Sequence, residues 1–286
     1  MNSDIFTGKN VIVQGITGSQ GKFHTLNMVT YGTNVVAGTS PTKAGTSLEG
    51  MPVYASIKDI QQDFAVDASV IFVPAAHAKA AMFEAIDAGV PLIVCITEHI
   101  PVHDMLAVRK KLQGSKSVVI GPNCPGVLVP GKQLLGIIPA RLSTPGTTAV
   151  VSRSGTLTYE AMDLLTKAEL GQKYIIGIGG DMVRGTGFIE ALELFENDPE
   201  VSRIVMIGEI GGVDEIAAGD YIRDHMTKPV YAYIAGHSAP AGVQMGHAGA
   251  ILGTNKLESA SAKTKYLADC GATVADSITQ LISKIK

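Results

Sequence analysis

Short aliphatic and β-branched runs alternate along this chain with longer segments whose apolar positions recur every three to four residues. A continuous apolar run of four or five residues marks a strand buried on both faces, and the longer period marks a helix that covers one. Val11 to Val13, Asn34 to Ala37, Ser69 to Val73, Leu92 to Ile96 and Ser117 to Ile120 are the strand-like runs of the first half. A glycine- and proline-rich stretch from Gly121 through Gly146 breaks the rhythm, carries a hairpin signal around Leu134 to Ile138, and reads as a joint. The alternation restarts with Thr148 to Val151, Tyr174 to Ile178, Arg203 to Ile207, Val230 to Ile234 and Ala272 to Ala275. Repeated strand–helix–strand order predicts parallel sheets with helices on both faces. The expected class is α/β, in two doubly wound domains over residues 1–125 and 126–286.

Composition narrows the partners. Glycine, at 32 of 286 residues, exceeds the usual share of about 7% and fits many tight turns at strand ends. A formal net charge of −3 offers no basic face for nucleic acid, and no Lys/Arg run makes a membrane-surface patch, so a small molecule is the expected ligand. Cys95, Cys124 and Cys270 are odd in number and far apart, which supplies neither a disulfide framework nor a C-x-x-C metal site. Met1 to Asn10 lacks the apolar centre of a signal peptide, and no stretch approaches the roughly 20 apolar residues of a membrane span. The expectation is a soluble cytoplasmic protein.

The run Val11 to Val13 leads into Gln14-Gly15-Ile16-Thr17-Gly18-Ser19-Gln20-Gly21, with a helix predicted to open near Gln20. Glycines there let backbone N–H groups approach a phosphate at a helix N-terminus; the plainer alternative is a tight strand-to-helix turn. The spacing is G-x-x-G-x-x-G, not the dinucleotide G-x-G-x-x-G. A dinucleotide site also carries Asp or Glu about 20 residues on, for the ribose 2′-hydroxyl. This chain instead has Lys43 after its second strand, which suits a ribose bearing an extra phosphate, as in CoA or NADP.

In the second half, Thr148 to Val151 leads into Ser152-Arg153-Ser154-Gly155-Thr156 and a helical segment. That is either another anion-binding helix start or simple capping by Ser or Thr. Among seven histidines, His247 stands out in Gln244-Met245-Gly246-His247-Ala248-Gly249-Ala250, where small neighbours leave the imidazole accessible. A histidine is nucleophilic when one ring nitrogen is neutral and a carboxylate holds the other. Glu209 follows strand Arg203 to Ile207, on the edge where doubly wound sheets place ligands, and is the candidate partner; the plainer alternatives are a loop histidine and a solvated carboxylate. His99 and His103 have no third metal ligand beside them, so no metal site is predicted.

Taken together, Gly15-Ile-Thr-Gly-Ser-Gln-Gly21, Gly121-Pro-Asn-Cys-Pro-Gly126, Ser152-Arg-Ser-Gly-Thr-Leu-Thr-Tyr-Glu160, Gly177-Ile-Gly-Gly-Asp181, Met206-Ile-Gly-Glu-Ile-Gly-Gly212 and Met245-Gly-His-Ala-Gly-Ala-Ile251 resemble the α subunit of succinate–CoA ligase over essentially the whole chain. The resemblance implies a Rossmann-like CoA-binding domain followed by a flavodoxin-like one. It implies CoA binding by Thr17, Gly18, Ser19 and Gln20, phosphate contacts from Lys43, and further CoA contacts from Ile96, Thr97 and Glu98. It places Tyr159 at the carboxylate substrate, His247 as phosphoryl carrier, Glu209 as its orienter, and Ser154, Gly155 and Thr156 around the carried phosphate. It further implies an ATP-grasp β subunit, in an αβ heterodimer or α2β2, that holds Mg²⁺ and ATP or GTP; G-x-x-x-x-G-K-[ST] is missing here. Malate–CoA ligase shares nearly every motif, with Pro125 and Thr158 favouring succinate. A CoA-responsive regulator without turnover and an NADP-dependent dehydrogenase are the readings from other classes. The chain departs from the family pattern at Pro41 to Gly45, at Ala241 to Gln244 and at Leu252 to Glu258.

Overall fold

The structure, a computed structural model, describes residues 3–240 and 242–285. Ala241, in one of the departing segments, lies outside them. The first sheet contains β1 (Val11–Gln14), β2 (Val35–Thr39), β3 (Ser47–Leu48), β4 (Met51–Tyr54), β5 (Ala68–Ile71), β6 (Leu92–Cys95) and β7 (Val118–Ile120), in the order β3-β4-β2-β1-β5-β6-β7. Every neighbouring pair is parallel except β3 with β4. All residues of β1, β5 and β6 are buried, which is why these strands read as predominantly apolar runs, broken only by Gln14 and Ser69. The helices α1 (Ser19–Thr30), α2 (Ile57–Ile60), α3 (Ala75–Asp87) and α4 (Val102–Leu112) connect them.

From β1 the chain moves out to β2 and β4, then returns to place β5 on the other side of β1. That reversal makes the loops after β1 and β5 the walls of a crevice at the carboxyl edge. The parallel order is the Rossmann order.

The second sheet contains β8 (Gly126–Val129), β9 (Gln133–Gly136), β10 (Pro145–Ser152), β11 (Gln172–Gly177), β12 (Arg203–Glu209), β13 (Val230–Ala235) and β14 (Thr273–Val274), in the order β14-β13-β12-β10-β11-β8-β9. Its helices are α5 (Gly155–Lys167), α6 (Phe188–Asn197), α7 (Asp214–His225), α8 (Ala260–Asp269) and α9 (Ile278–Ser283). Five strands run parallel in the flavodoxin-like order, and the β8–β9 hairpin adds antiparallel to β11. Here the direction reverses between β10 and β12, so the turns after these two strands face one another.

Two features differ from the pattern reading. Residues 47–54, expected to lie within a helical connection, form β3 and β4; Gly50 and Pro52 interrupt a segment too short to show any period. The stretch read as a joint with a hairpin around Leu134 to Ile138 does form a hairpin, closed through Gly126↔Gly136 to Val129↔Gln133, but its strands belong to the second sheet instead of standing between the domains. This hairpin packs back on the first half: the Thr33 hydroxyl donates to the Leu134 carbonyl (2.7 Å) and accepts from the Leu134 N–H (3.0 Å). Val11, Val13, Val70, Val94 and Met28 therefore share one buried apolar cluster with Leu134, Leu135 and the second sheet, while α3 and α4 cover a separate cluster on the opposite face of the first sheet.

Candidate active site at the junction of the two sheets

The turn after β1 is built by its glycines. Gly15 adopts φ +86°, outside the range of ordinary side chains, and a Cβ on Gly21 would meet the Gly15 carbonyl oxygen at 2.1 Å. The turn delivers Gly18 to the N-cap of α1, where no side chain caps the helix, so the first-turn N–H groups are left for an incoming acceptor. The Thr17 hydroxyl donates to Ser40 Oγ (2.9 Å), tying this loop to the Pro41–Lys43 turn that carries the exposed Lys43.

A cavity of about 580 Å³ opens beside this loop. Gln20, Ile96, Thr97 and Glu98 line it from the first sheet, and Gly155, Thr156, Tyr159 and His247 from the second. Thus four predicted ligand residues of the first half and four residues of the second half meet in one space. Thr17, Gly18, Ser19 and Lys43 lie outside this lining.

At the start of α5, Ser154 acts as the N-cap and accepts from the Leu157 N–H (3.3 Å), so the capping reading holds for its side chain. Gly155 and Thr156, one step further, face the cavity. Burial pushes the Tyr159 phenol up to about 12, with the nearby Cys124 adding to the shift, so it stays a neutral donor at physiological pH. Of the two residues that favoured succinate, Pro125 lines the cavity, whereas Thr158 is fully buried and donates its hydroxyl to the Ser154 carbonyl.

His247 and Glu209, 38 positions apart, are in direct contact. Nδ1 of the imidazole lies 2.7 Å from Glu209 Oε2. A carboxylate at Nδ1 accepts that N–H and leaves Nε2 with its lone pair. The hydrogen bond to Glu209 raises the His247 pKa above its ordinary value, against burial and Arg153, which lower it. The ring packs tightly against Gly180: a Cβ there would come within 2.2 Å of its Cγ. Its loop is held by Gly249 N–H to the Gly180 carbonyl (3.0 Å) and Met245 N–H to the Ala250 carbonyl (2.8 Å).

The residue reading did not single out Gly180, Arg153 or Asn123 for this site. Arg153, 2% exposed, places Nε 3.1 Å from Glu209 Oε1. That N–H points off the line to the oxygen, so the two meet by charge without a directed hydrogen bond. Asn123 Nδ2 donates to Asp181 Oδ1 (2.9 Å), joining the Gly121–Gly126 segment to the turn that carries Gly180. The signal available was position: all lie in the glycine-rich motifs at the carboxyl ends of strands. Among the described residues, no group of three or more His, Cys, Asp or Glu is arranged to hold a metal ion, and no helix is long and apolar enough to cross a membrane.

Comparison with known proteins agrees with this layout. The family model described as CoA binding domain matches residues 6–99, and that described as CoA-ligase matches residues 151–280. The chain is 50% identical over 278 residues to the succinate–CoA ligase [ADP-forming] subunit alpha 2 of Archaeoglobus fulgidus, covering 96% of each. It is 48% identical to the alpha subunit of the same enzyme from Staphylococcus epidermidis, over 97% of this chain and 92% of that one. Its fold superposes on ATP citrate lyase from Methanothrix soehngenii, solved in complex with citrate and coenzyme A, with a TM-score of 0.87 at 24% identity. The match covers 97% of this chain but spans only half of that longer one. With a CoA binding domain and a CoA-ligase domain in sequence and such identity over nearly its whole length, the chain belongs to the family of succinate–CoA ligase α subunits.

Proposed function

We propose that this chain is the α subunit of a succinate–CoA ligase, active with an ATP-grasp β subunit that holds Mg²⁺ and ATP or GTP. The observation that carries the reading is the His247–Glu209 pair opening into the cavity that Gln20, Ile96, Thr97 and Glu98 also line. In the first step His247 Nε2 attacks the γ-phosphorus of the nucleotide; the N–P bond forms as the β,γ-bridging P–O bond breaks, and the nucleoside diphosphate leaves. Glu209 accepts the Nδ1 hydrogen bond and balances the cation that develops on the ring. The first-turn N–H groups of α5 at Gly155 and Thr156, with Ser154 as its cap, hold the phosphoryl oxygens.

A succinate carboxylate beside Tyr159 then takes the phosphoryl group, breaking N–P and giving succinyl phosphate. The CoA thiolate attacks the acyl carbon and phosphate departs. CoA lies along the first glycine loop, with Thr17, Gly18, Ser19 and Gln20 at its phosphates, Lys43 at the ribose phosphate, and Ile96, Thr97 and Glu98 along its arm. The division at residue 125/126 follows from the same reading, with CoA on the first part and phosphohistidine chemistry on the second.

The test is γ-labelled nucleoside triphosphate with Mg²⁺ and the αβ complex. The α chain should take up label that survives base but not acid, and His247→Asn should abolish it with CoA affinity nearly unchanged. Acid-stable label, or full labelling of His247→Asn, refutes the assignment. Turnover assayed with succinate and malate side by side decides the acid; faster ligation of malate overturns that part of the reading.

A further inference from the structure

Behind the His247–Glu209 pair, away from the cavity, lies a buried set of charges that the reaction does not touch. Glu215, in the first turn of α7, and Lys263, in α8, are both 0% exposed. Glu215 Oε1 accepts from Arg153 Nη1 (3.0 Å) and from the backbone N–H of Glu209 (3.2 Å). Its other oxygen accepts from Lys263 Nζ, which also donates to the carbonyls of Glu209 (2.8 Å) and Gly211 (2.7 Å). Glu209 is therefore gripped at three places: backbone N–H by Glu215, backbone carbonyl by Lys263, and side chain by Arg153. Gly208 makes room for this, since a Cβ there would meet Glu215 Cγ at 2.7 Å.

Burying four charges is costly unless each is paired, and here two cations meet two anions. The allocation is uneven. Arg153 donates directed hydrogen bonds to Glu215 and to the Gly211 carbonyl (3.2 Å) but makes only a charge contact with Glu209. An Arg153 without Glu215 would turn its full charge on Glu209 and compete with the imidazole for that carboxylate. Burial alone would push the Glu215 carboxyl up, but Arg153 and Lys263 outweigh it and hold the group below its ordinary value, so it stays ionised.

We propose that Glu215, held by Lys263, is a positioning residue for the His247 chemistry: by neutralising Arg153 and fixing the Glu209 backbone, it reserves one Glu209 oxygen for the imidazole. This rests on His247 being the phosphoryl acceptor, as proposed above, but the arrangement is testable without turnover. The groups facing His247 are Glu209 from β12, Arg153 from the turn after β10 and Asp181 from the turn after β11.

The experiment follows the ¹⁵N-labelled imidazole of His247 in the full chain by NMR titration, alongside phosphoryl labelling of the αβ complex. In Glu215→Gln the His247 titration midpoint should fall from its wild-type value, and labelling should slow by roughly 10- to 100-fold, the scale of a misplaced reacting group. Glu215→Asp, which keeps the charge, should hold the midpoint close to wild type. The double variant Glu215→Gln/Lys263→Met removes one buried charge of each sign, so it carries the same test should the single variant not fold. A folded Glu215→Gln or double variant with an unmoved midpoint overturns the proposal, even if labelling slows, because a purely structural role would do that. Lack of label on the wild-type complex would instead sink the phosphohistidine reading, and the titration would still decide the positioning.

Discussion

Gly180→Ala is a small change with a large expected effect. A Cβ at this position would lie 2.2 Å from His247 Cγ, 2.5 Å from Nδ1 and 2.7 Å from the His247 Cβ. Carbon atoms rest about 3.5 Å apart, so the ring must retreat by about 1.3 Å along that direction. The Nδ1 contact with Glu209 is 2.7 Å long, and a retreat of that size takes it past hydrogen-bond reach unless Glu209 follows. Glu209 cannot follow freely, since its backbone is held at both polar atoms by Glu215 and Lys263. The His247 loop will yield instead. Gly180 is buried, but its backbone is not among those in the left-handed region, so alanine introduces no backbone strain and the fold should persist. We expect phosphoryl labelling of the αβ complex to slow by roughly 100-fold, as for a reacting group displaced by about 1 Å. Rapid-quench labelling measures the rate, and circular dichroism with thermal melting reports the fold. Labelling at the wild-type rate in a folded Gly180→Ala chain would refute the claim that ring placement against this glycine sets the chemistry.

Four further outcomes are expected. Lys43→Ala should weaken CoA by roughly 1.5 to 3 kcal/mol and dephospho-CoA far less, by calorimetry; equal losses would remove Lys43 from the ribose phosphate. The nucleophilic form of His247 is neutral and its pKa is raised, so labelling should fall as pH drops through a midpoint above the ordinary histidine value of about 6.5, and Glu209→Gln should move that limb to lower pH. The same shift makes the pair's contribution to stability complete below the unfolded-state pKa and lost as pH rises through the folded one, which pH-dependent melting of wild type against His247→Asn would measure. The isolated chain should bind CoA yet turn nothing over until a β subunit is added; ligase turnover by the purified chain alone would contradict the division of labour.

The strands of the first sheet were legible because burial on both faces makes β1, β5 and β6 mostly aliphatic, the two polar exceptions, Gln14 and Ser69, being paired with each other inside. β4 was not, since Met51–Tyr54 has four residues and a proline, and its strand character comes from lying against β2. His247 and Glu209 were each visible as an odd residue in a glycine-rich turn. Glu209 could be named as the candidate partner from its place at a strand end, whereas the 2.7 Å contact itself depends on Gly180 clearing room for the ring. Glu215 and Lys263 were not singled out in the sequence, although a signal existed. Glu215 shares its helix face with Ala218, Gly219 and Ile222, and Lys263 shares its own with Ala260 and Leu267. A charge on an apolar stripe must be paired inside.

The β8–β9 hairpin carries a consequence for how the molecule responds to ligand. Because Leu134 and Leu135 belong to the second sheet yet lie in the same apolar cluster as Val11, Val13 and Met28, separating the halves would expose the middle of a continuous interior. The junction that forms the cavity thus has no slip plane, unlike the wet, polar contacts that let domains swing about a linker. Melting should accordingly be one cooperative event. A molecule seated only on the α1 loop would then raise the melting temperature of the His247 side equally, by mass action on a single folded state.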